Sequence, residues 1–191
     1  MATSHPFRFT IGPERQEFWV HSAVISRLSP VLNVLINGTF KEGRNLHAEL
    51  ETVDPDTFSS FLRYAYAGDN AVGIREGGGE QGYTPDLFVS DARLYVFADY
   101  YGIERLAKIS LWNLGRSLAT FDLVDDNTVN DAVKLLIYCF EDDRPEQLRK
   151  RMVQYASRKA KQLMKNPAFC ELLEGNNGLS VAMIRRIVGL E

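Results

Sequence analysis

The sequence is poor in the residues that build metal centres, disulfide frameworks and membrane spans. Its 191 residues include only 2 cysteines and 3 histidines. Cys139 and Cys170 show no metal-binding or redox spacing, which favours a reducing intracellular compartment, cytoplasmic or nuclear. No stretch reaches the roughly 18 consecutive apolar residues of a membrane span. The N-terminus lacks the basic patch and apolar run of a signal peptide, so neither secretion nor membrane insertion is expected.

The sequence also has little excess charge of either sign. With 22 Lys and Arg against 25 Asp and Glu, the formal net charge is −3. The overall electrostatic field of such a chain does not favour binding to nucleic acid or to anionic membranes. The hydrophobic content of 45% is ordinary for a globular protein with a real core. The length predicts one domain, or one domain with an appendage.

Catalytic and cofactor-binding patterns are missing as well. The histidines are scattered, and no Ser or Cys stands beside a recognisable base, so we predict a non-enzyme without catalytic, metal or cofactor residues. The run Gly77–Gly82 does match the G-x-G-x-x-G pattern of dinucleotide sites. However, it is followed by two successive helical segments without a returning strand, which that mechanism requires. We therefore interpret residues 70–82, which contain five glycines, as a weakly ordered loop.

The most informative stretch is residues 17–40. Phe18 and Val20 alternate with Trp19 and His21, which predicts a strand that ends near His21. Ser22 is the expected N-cap of a first helix. Ser29-Pro30 begins a second helix with Leu32, Leu35 and Ile36 on one side, and Asn37-Gly38 ends it. A strand at residues 7–11 precedes this stretch, and a third strand at residues 46–50 follows it.

The rest of the chain has helical patterns. One helix begins at Asp54-Pro55 and ends at Gly68, another runs from Pro85 to Gly102, and a third continues to Leu118. Beyond residue 120 the strand signals disappear, and further helices follow, the last capped by Ser180.

Three separated blocks of this sequence resemble the BTB/POZ family, over roughly residues 7–118. The matching residues are Phe18, Val20, His21, Val24, Arg27–Pro30, Leu32 and Phe40, then Asp54–Phe58 and Phe61–Asp69, then Tyr95–Leu106. The long insert and the helical tail look most like the small BTB proteins of filamentous fungi.

The resemblance implies an α+β fold, in which a small β-sheet is flanked by α-helices, with an all-helical C-terminal extension. We expect a BTB/POZ domain at residues 5–118 and a helical extension at residues 119–191, packed on the BTB core. The implied function is protein–protein interaction. One reading is an adaptor for a cullin-type E3 ubiquitin ligase, and the alternative is a self-association or scaffold protein without a ligase role.

The candidate interaction residues are Phe40, Lys41 and Glu42. BTB adaptors that recruit a cullin scaffold carry a hydrophobic-x-Glu motif just after the second helix, and Phe40-x-Glu42 resembles it. In this reading an apolar anchor fills a pocket beside one charge-assisted contact. The alternative is that Phe40 covers the domain core and Glu42 is solvated.

Two further observations bear on partners. The segment Arg149–Lys165 carries seven cations and no acid, which is typical of a solvated helix face or of a contact with an acidic protein. It lacks the interleaved aromatics of a base-stacking surface, so a protein partner is favoured over nucleic acid. Only residues 1–6 precede the first strand, so self-association is not expected to use the strand-exchanged BTB dimer.

Overall fold

A computed structural model describes residues 4–39, 41–72 and 85–190. The strands are β1 (Pro6–Ile11), β2 (Gln16–His21) and β3 (His47–Leu50). The helices are α1 (Ser22–Leu28), α2 (Pro30–Asn37), α3 (Lys41–Asn45), α4 (Pro55–Ala67), α5 (Asp69–Val72), α6 (Pro85–Tyr100), α7 (Glu104–Thr120), α8 (Asp126–Phe140), α9 (Glu146–Leu163), α10 (Pro167–Gly175) and α11 (Asn177–Ile187).

The described chain divides into two compact units. The first takes its residues from 4–72 and 93–110, and the second from 85–92 and 111–190. Helices α6 and α7 therefore contribute residues to both units. A small sheet with helices in one unit and helices alone in the other confirms the predicted α+β class.

The sheet belongs to the first unit and has the strand order β2-β1-β3. The central strand β1 pairs antiparallel with β2 and parallel with β3. Phe7, Phe9 and Ile11 alternate along β1 and are fully buried, because successive side chains of a strand point to opposite faces. The sequence prediction of three strands is confirmed.

Aromatic rings form the core beneath the sheet. Phe58 of α4 lies 5.3 Å from Phe9 and 5.7 Å from Phe61, measured between ring centroids. Phe61 in turn lies 5.0 Å from Phe97 of α6. Offset and edge-to-face pairs at these distances stabilise a core beyond the burial of their area. The core therefore joins β1, α4 and the C-terminal part of α6.

Side-chain caps explain five of the helix starts in the described part of the chain. Ser29 and Asp54 cap α2 and α4 by accepting from the backbone N–H groups of Leu32 and Thr57, as predicted. Ser22, however, is the first residue of α1 and not its N-cap. His21 occupies the N-cap position without a side-chain hydrogen bond to the helix, because β2 runs directly into α1.

Two short helices were not predicted. The polar segment of α3 has no apolar periodicity, and α5 occupies residues 69–72, where the sequence suggested the beginning of a loop. Helix α5 follows Gly68, whose φ of +71° permits the sharp change of direction after α4. The remainder of the predicted loop lies outside the described residues.

The second unit is helical. Asp125 and Thr128 form a capping box at the start of α8, and Phe88 of α6 packs edge-on against Phe121 at 4.6 Å. The prediction that Ser180 caps the last helix is wrong. Asn176 is the cap, and the Ser180 hydroxyl donates to the Leu173 carbonyl at 2.6 Å. No helix in the part of the chain that the structure describes has the length and apolarity needed to cross a bilayer.

Candidate protein-interaction site

Helix α2 is held at its N-terminus and exposes apolar residues along its outer side. Besides capping the helix, the buried Ser29 hydroxyl donates to the Tyr101 carbonyl at 2.5 Å. Leu32 and Ile36 are buried on the inner side. Val31 and Val34, three residues apart, are 44% and 54% exposed. The spacing places both valines on one side of the helix, where a partner can reach them.

Helix α3 lies directly against the C-terminal end of α2. A Cβ built on Gly43 would come within 2.4 Å of the Gly38 carbonyl oxygen and 3.1 Å of the Ile36 carbonyl oxygen. Real side chains essentially never approach so closely, so only glycine allows this packing. Gly43 therefore fixes the position of its neighbours Lys41 and Glu42 beside the end of α2.

The structure brings two of the three predicted site residues together. Lys41 is exposed and Glu42 is half-buried, both in α3. Phe40 lies outside the described residues. We call Val31, Val34, Lys41 and Glu42 the α2–α3 surface. It combines apolar side chains with one carboxylate and one ammonium group, a composition that suits contact with another protein.

Sequence reasoning missed Val31, Val34 and Gly43. The signal for the valines was available, because residues 31 and 34 do not fall on the side of α2 that Leu32 and Ile36 bury. The role of Gly43 carried no such signal. It depends on how closely two backbone segments approach, which local sequence does not show.

The carboxylates with shifted pKa values are held in ion pairs and hydrogen bonds. Arg105 donates from Nε to both carboxylate oxygens of Asp69, at 2.8 and 2.9 Å. This hydrogen bonding lowers the pKa of Asp69 and raises that of Arg105. Arg15 lowers the pKa of Glu49 in the same way on the solvent face of the sheet. A carboxylate with a lowered pKa stays ionised, so neither group suits proton donation.

Buried nucleophiles offer no reactive group either. Burial raises the pKa of the Cys139 thiol to about 12 and that of the Tyr101 hydroxyl to about 12. Within residues 4–39, 41–72 and 85–190, no group of three or more His, Cys, Asp or Glu side chains is arranged to hold a metal ion.

The cations of α9 lie on more than one side of the helix. Arg149 donates to the Glu141 carbonyl at 2.9 Å, and Lys150 pairs with Glu146 at 2.7 Å. Lys159 pairs with Asp122 at 2.9 Å, and its side chain is only 23% exposed. The basic segment therefore does not form a single, uniformly solvated face of α9.

Comparison with known families identifies the first unit. The family model for the BTB/POZ domain matches residues 8–110, more than half of the 191-residue chain. The match extends from β1 into the first part of α7 and includes the whole α2–α3 surface. The domain of this family is a non-catalytic protein–protein interaction module. The chain belongs to the BTB/POZ family.

Proposed function

We propose that this protein is an adaptor that binds a cullin-type E3 ubiquitin ligase scaffold through the α2–α3 surface. The observation that supports the proposal most strongly is the position of Glu42. It is half-buried at the start of a helix that Gly43 holds against the end of α2. Helix α2 itself exposes two valines. The sequence Phe40-x-Glu42 resembles the motif that cullin-recruiting BTB adaptors carry at this point of the chain.

The proposed contact has an apolar part and a charged part. Val31, Val34 and the aromatic ring of Phe40 would be the apolar anchors, which lose water when the partner covers them. The Glu42 carboxylate would accept a charge-assisted hydrogen bond from an Arg or Lys of the scaffold.

An adaptor also needs a surface for its client. The chain has a second, helical unit in addition to the unit that carries the α2–α3 surface. We propose that this unit, including the predicted extension at residues 119–191, binds the client protein inside the cell, in the cytoplasm or the nucleus. The helical extension also supports placing the chain among the small BTB proteins of filamentous fungi.

A scaffold protein that self-associates without a ligase is the second candidate. The observation that favours it is the exposed apolar side of α11 and the residues that follow it, where Ile184 and Ile187 are 61% and 59% exposed and Leu190 is 75% exposed. An apolar helix face of this kind can pair with its own copy. Light scattering across a concentration series measures this directly, since self-association raises the mass above 21.6 kDa.

Affinity capture from the native cell separates the two candidates. We expect the tagged wild-type chain to retain a cullin, and the Glu42→Lys variant to lose it while keeping its other partners. Capture of further copies of the chain without any cullin, by wild type and variant alike, would favour the scaffold function.

A further inference from the structure

A small cavity in the second unit has three cations among its lining residues, none of which belongs to the α2–α3 surface. Its volume is about 90 Å³, and it lies between residues 115–119 of α7 and one side of α9. Residues Arg151, Gln154, Tyr155, Arg158 and Lys159 of α9 line it, at the spacing that places side chains on one face of a helix. We call this the α7–α9 cavity.

The charged side chains that line the α7–α9 cavity are cations, and one carboxylate, that of Asp122, lies beside them. Its lining includes Arg151, Arg158 and Lys159 but no Asp or Glu. Lys159 pairs with Asp122 at 2.9 Å. Among the described residues neither arginine has a carboxylate partner within ion-pair distance. Two guanidinium groups without counter-charges in one cavity wall are available for an anion.

Tyr155 adds a hydroxyl for which the described residues supply no hydrogen-bond partner. The residue is 6% exposed. A buried polar group without a partner costs free energy and calls for an explanation, such as a ligand that satisfies it. An anion oxygen in the cavity would be that partner.

Gly115 allows one arginine to reach its position. A Cβ on Gly115 would lie 3.1 Å from Cζ and 3.2 Å from Nη1 of Arg151. The guanidinium group therefore rests against the bare backbone of α7, and a Cβ at position 115 would require it to shift by a few tenths of an ångström. The position of the Arg151 guanidinium group therefore depends on the absence of a side chain at position 115.

From this geometry we propose that the α7–α9 cavity binds a phosphoryl group. A cavity of about 90 Å³ has the room of roughly three waters at ~30 Å³ each, the scale of one phosphate group. Planar guanidinium groups match phosphate oxygens in pairs, and the tyrosine hydroxyl donates to a third oxygen. The phosphoryl group belongs either to a small phosphate compound or to a phosphorylated side chain of a partner protein.

The first experiment titrates the full chain with inorganic phosphate at constant ionic strength, set with chloride, and follows backbone amide shifts by NMR. We expect saturable shifts at residues lining the cavity. Arg158→Ala should weaken binding about tenfold, the loss of one charge-assisted contact. Lys161→Ala removes one exposed cation of the same helix that does not line the cavity, so it should bind phosphate like the wild type.

Two variants keep the charge and test the geometry. Gly115→Ala should weaken phosphate binding by displacing the Arg151 guanidinium. Tyr155→Phe should weaken it severalfold without lowering the melting temperature, because it removes a hydroxyl that has no partner among the described residues. A lowered melting temperature of Tyr155→Phe would show that the hydroxyl has an internal partner and would count against the site.

The second arm compares a phosphoserine peptide with its unphosphorylated form. Tighter binding of the phosphopeptide than of inorganic phosphate assigns the site to a phosphorylated partner, and equal binding assigns it to small phosphate compounds. The proposal is overturned if wild-type protein shows no saturable response to phosphate, or if Lys161→Ala weakens binding as much as Arg158→Ala.

Discussion

Gly43 is the residue on which the geometry of the α2–α3 surface depends most. A Cβ at this position meets the Gly38 carbonyl oxygen at 2.4 Å, and backbone cannot give way as a flexible side chain can. We therefore predict that Gly43→Ala lowers the free energy of unfolding by about 1–3 kcal/mol, the usual cost of overpacking. Chemical denaturation of the full chain measures this value.

Gly175 provides the matched control for that substitution. It also lies in a helix, but a Cβ there meets nothing within 4 Å and its φ is not positive. Gly175→Ala should leave stability unchanged or raise it by up to about 1 kcal/mol, since alanine restricts the unfolded chain. Equal effects of the two substitutions would contradict the close approach of α3 to α2.

Asp69 and Arg105 predict a pH dependence in the acid range. The arginine lowers the pKa of Asp69 below its ordinary value of 3.8, so the pair contributes stability above that value. The contribution is lost as the pH falls through the pKa of the folded state. We expect Arg105→Gln to return the pKa of Asp69 towards 3.8, as measured by carboxyl NMR titration. An Asp69 pKa that is the same in wild type and variant would show that the pair does not form in solution.

At the scale of elements, regular patterns were predictable and short polar helices were not. Alternation in β1 and the Ser29 and Asp54 caps gave the sheet and two helix starts correctly, because their signals are local. Helix α3, with the sequence KEGRN, has no apolar periodicity to reveal it. It forms where it can pack against α2, which is a tertiary cause. Ser22 and Ser180 are good capping residues, but neither is an N-cap. Ser22 is the first residue of α1, whose N-cap is His21, and Ser180 lies inside α11, whose N-cap is Asn176.

Packing of the helices in the second unit predicts different reactivities for the two cysteines. Cys139 of α8 is fully buried, and burial raises the pKa of its thiol to about 12, so the reactive thiolate is scarce at pH 8. Cys170 of α10 is half-buried. We expect a disulfide reagent to modify one thiol quickly in the folded protein and the second only after unfolding.

Substituting Cys170 with Ser supplies the control for that measurement. The fast phase should disappear in Cys170→Ser and the slow phase should remain. Equal modification rates for both thiols in the folded wild-type protein would mean that the Cys139 side chain is not buried in the folded state.

At the scale of the whole molecule, we predict that the helical extension does not fold alone. A fragment of residues 119–191 lacks Phe88, whose ring lies 4.6 Å from Phe121, and the buried Leu114 and Leu118 of the same unit. About 70 residues rarely supply a sufficient core even when that core is complete. Circular dichroism should show no sharp thermal transition for this fragment, in contrast to the full chain. A cooperative melt would establish residues 119–191 as an independent domain.

The candidate sites were predictable to different degrees. The family resemblance directed attention to Phe40, Lys41 and Glu42, and the structure places the last two in one helix beside α2. The helical period of α2 already indicates that Val31 and Val34 face outwards. The α7–α9 cavity, in contrast, requires knowledge of which helix faces meet. Arg151 and Gly115 are 36 positions apart, and no local pattern in the sequence connects them.

The most direct test of the adaptor function is a calorimetric titration of the full chain with the N-terminal region of a cullin. Glu14→Lys makes the same charge change as Glu42→Lys in the exposed β1–β2 turn, which lies at the opposite end of the sheet from α3. We predict that wild type and Glu14→Lys bind alike. Glu42→Lys should lose at least about 30-fold in affinity, or 2 kcal/mol, while its stability stays within about 0.5 kcal/mol. Wild-type protein that does not bind at tens of micromolar, or equal binding by both variants, would contradict the adaptor function.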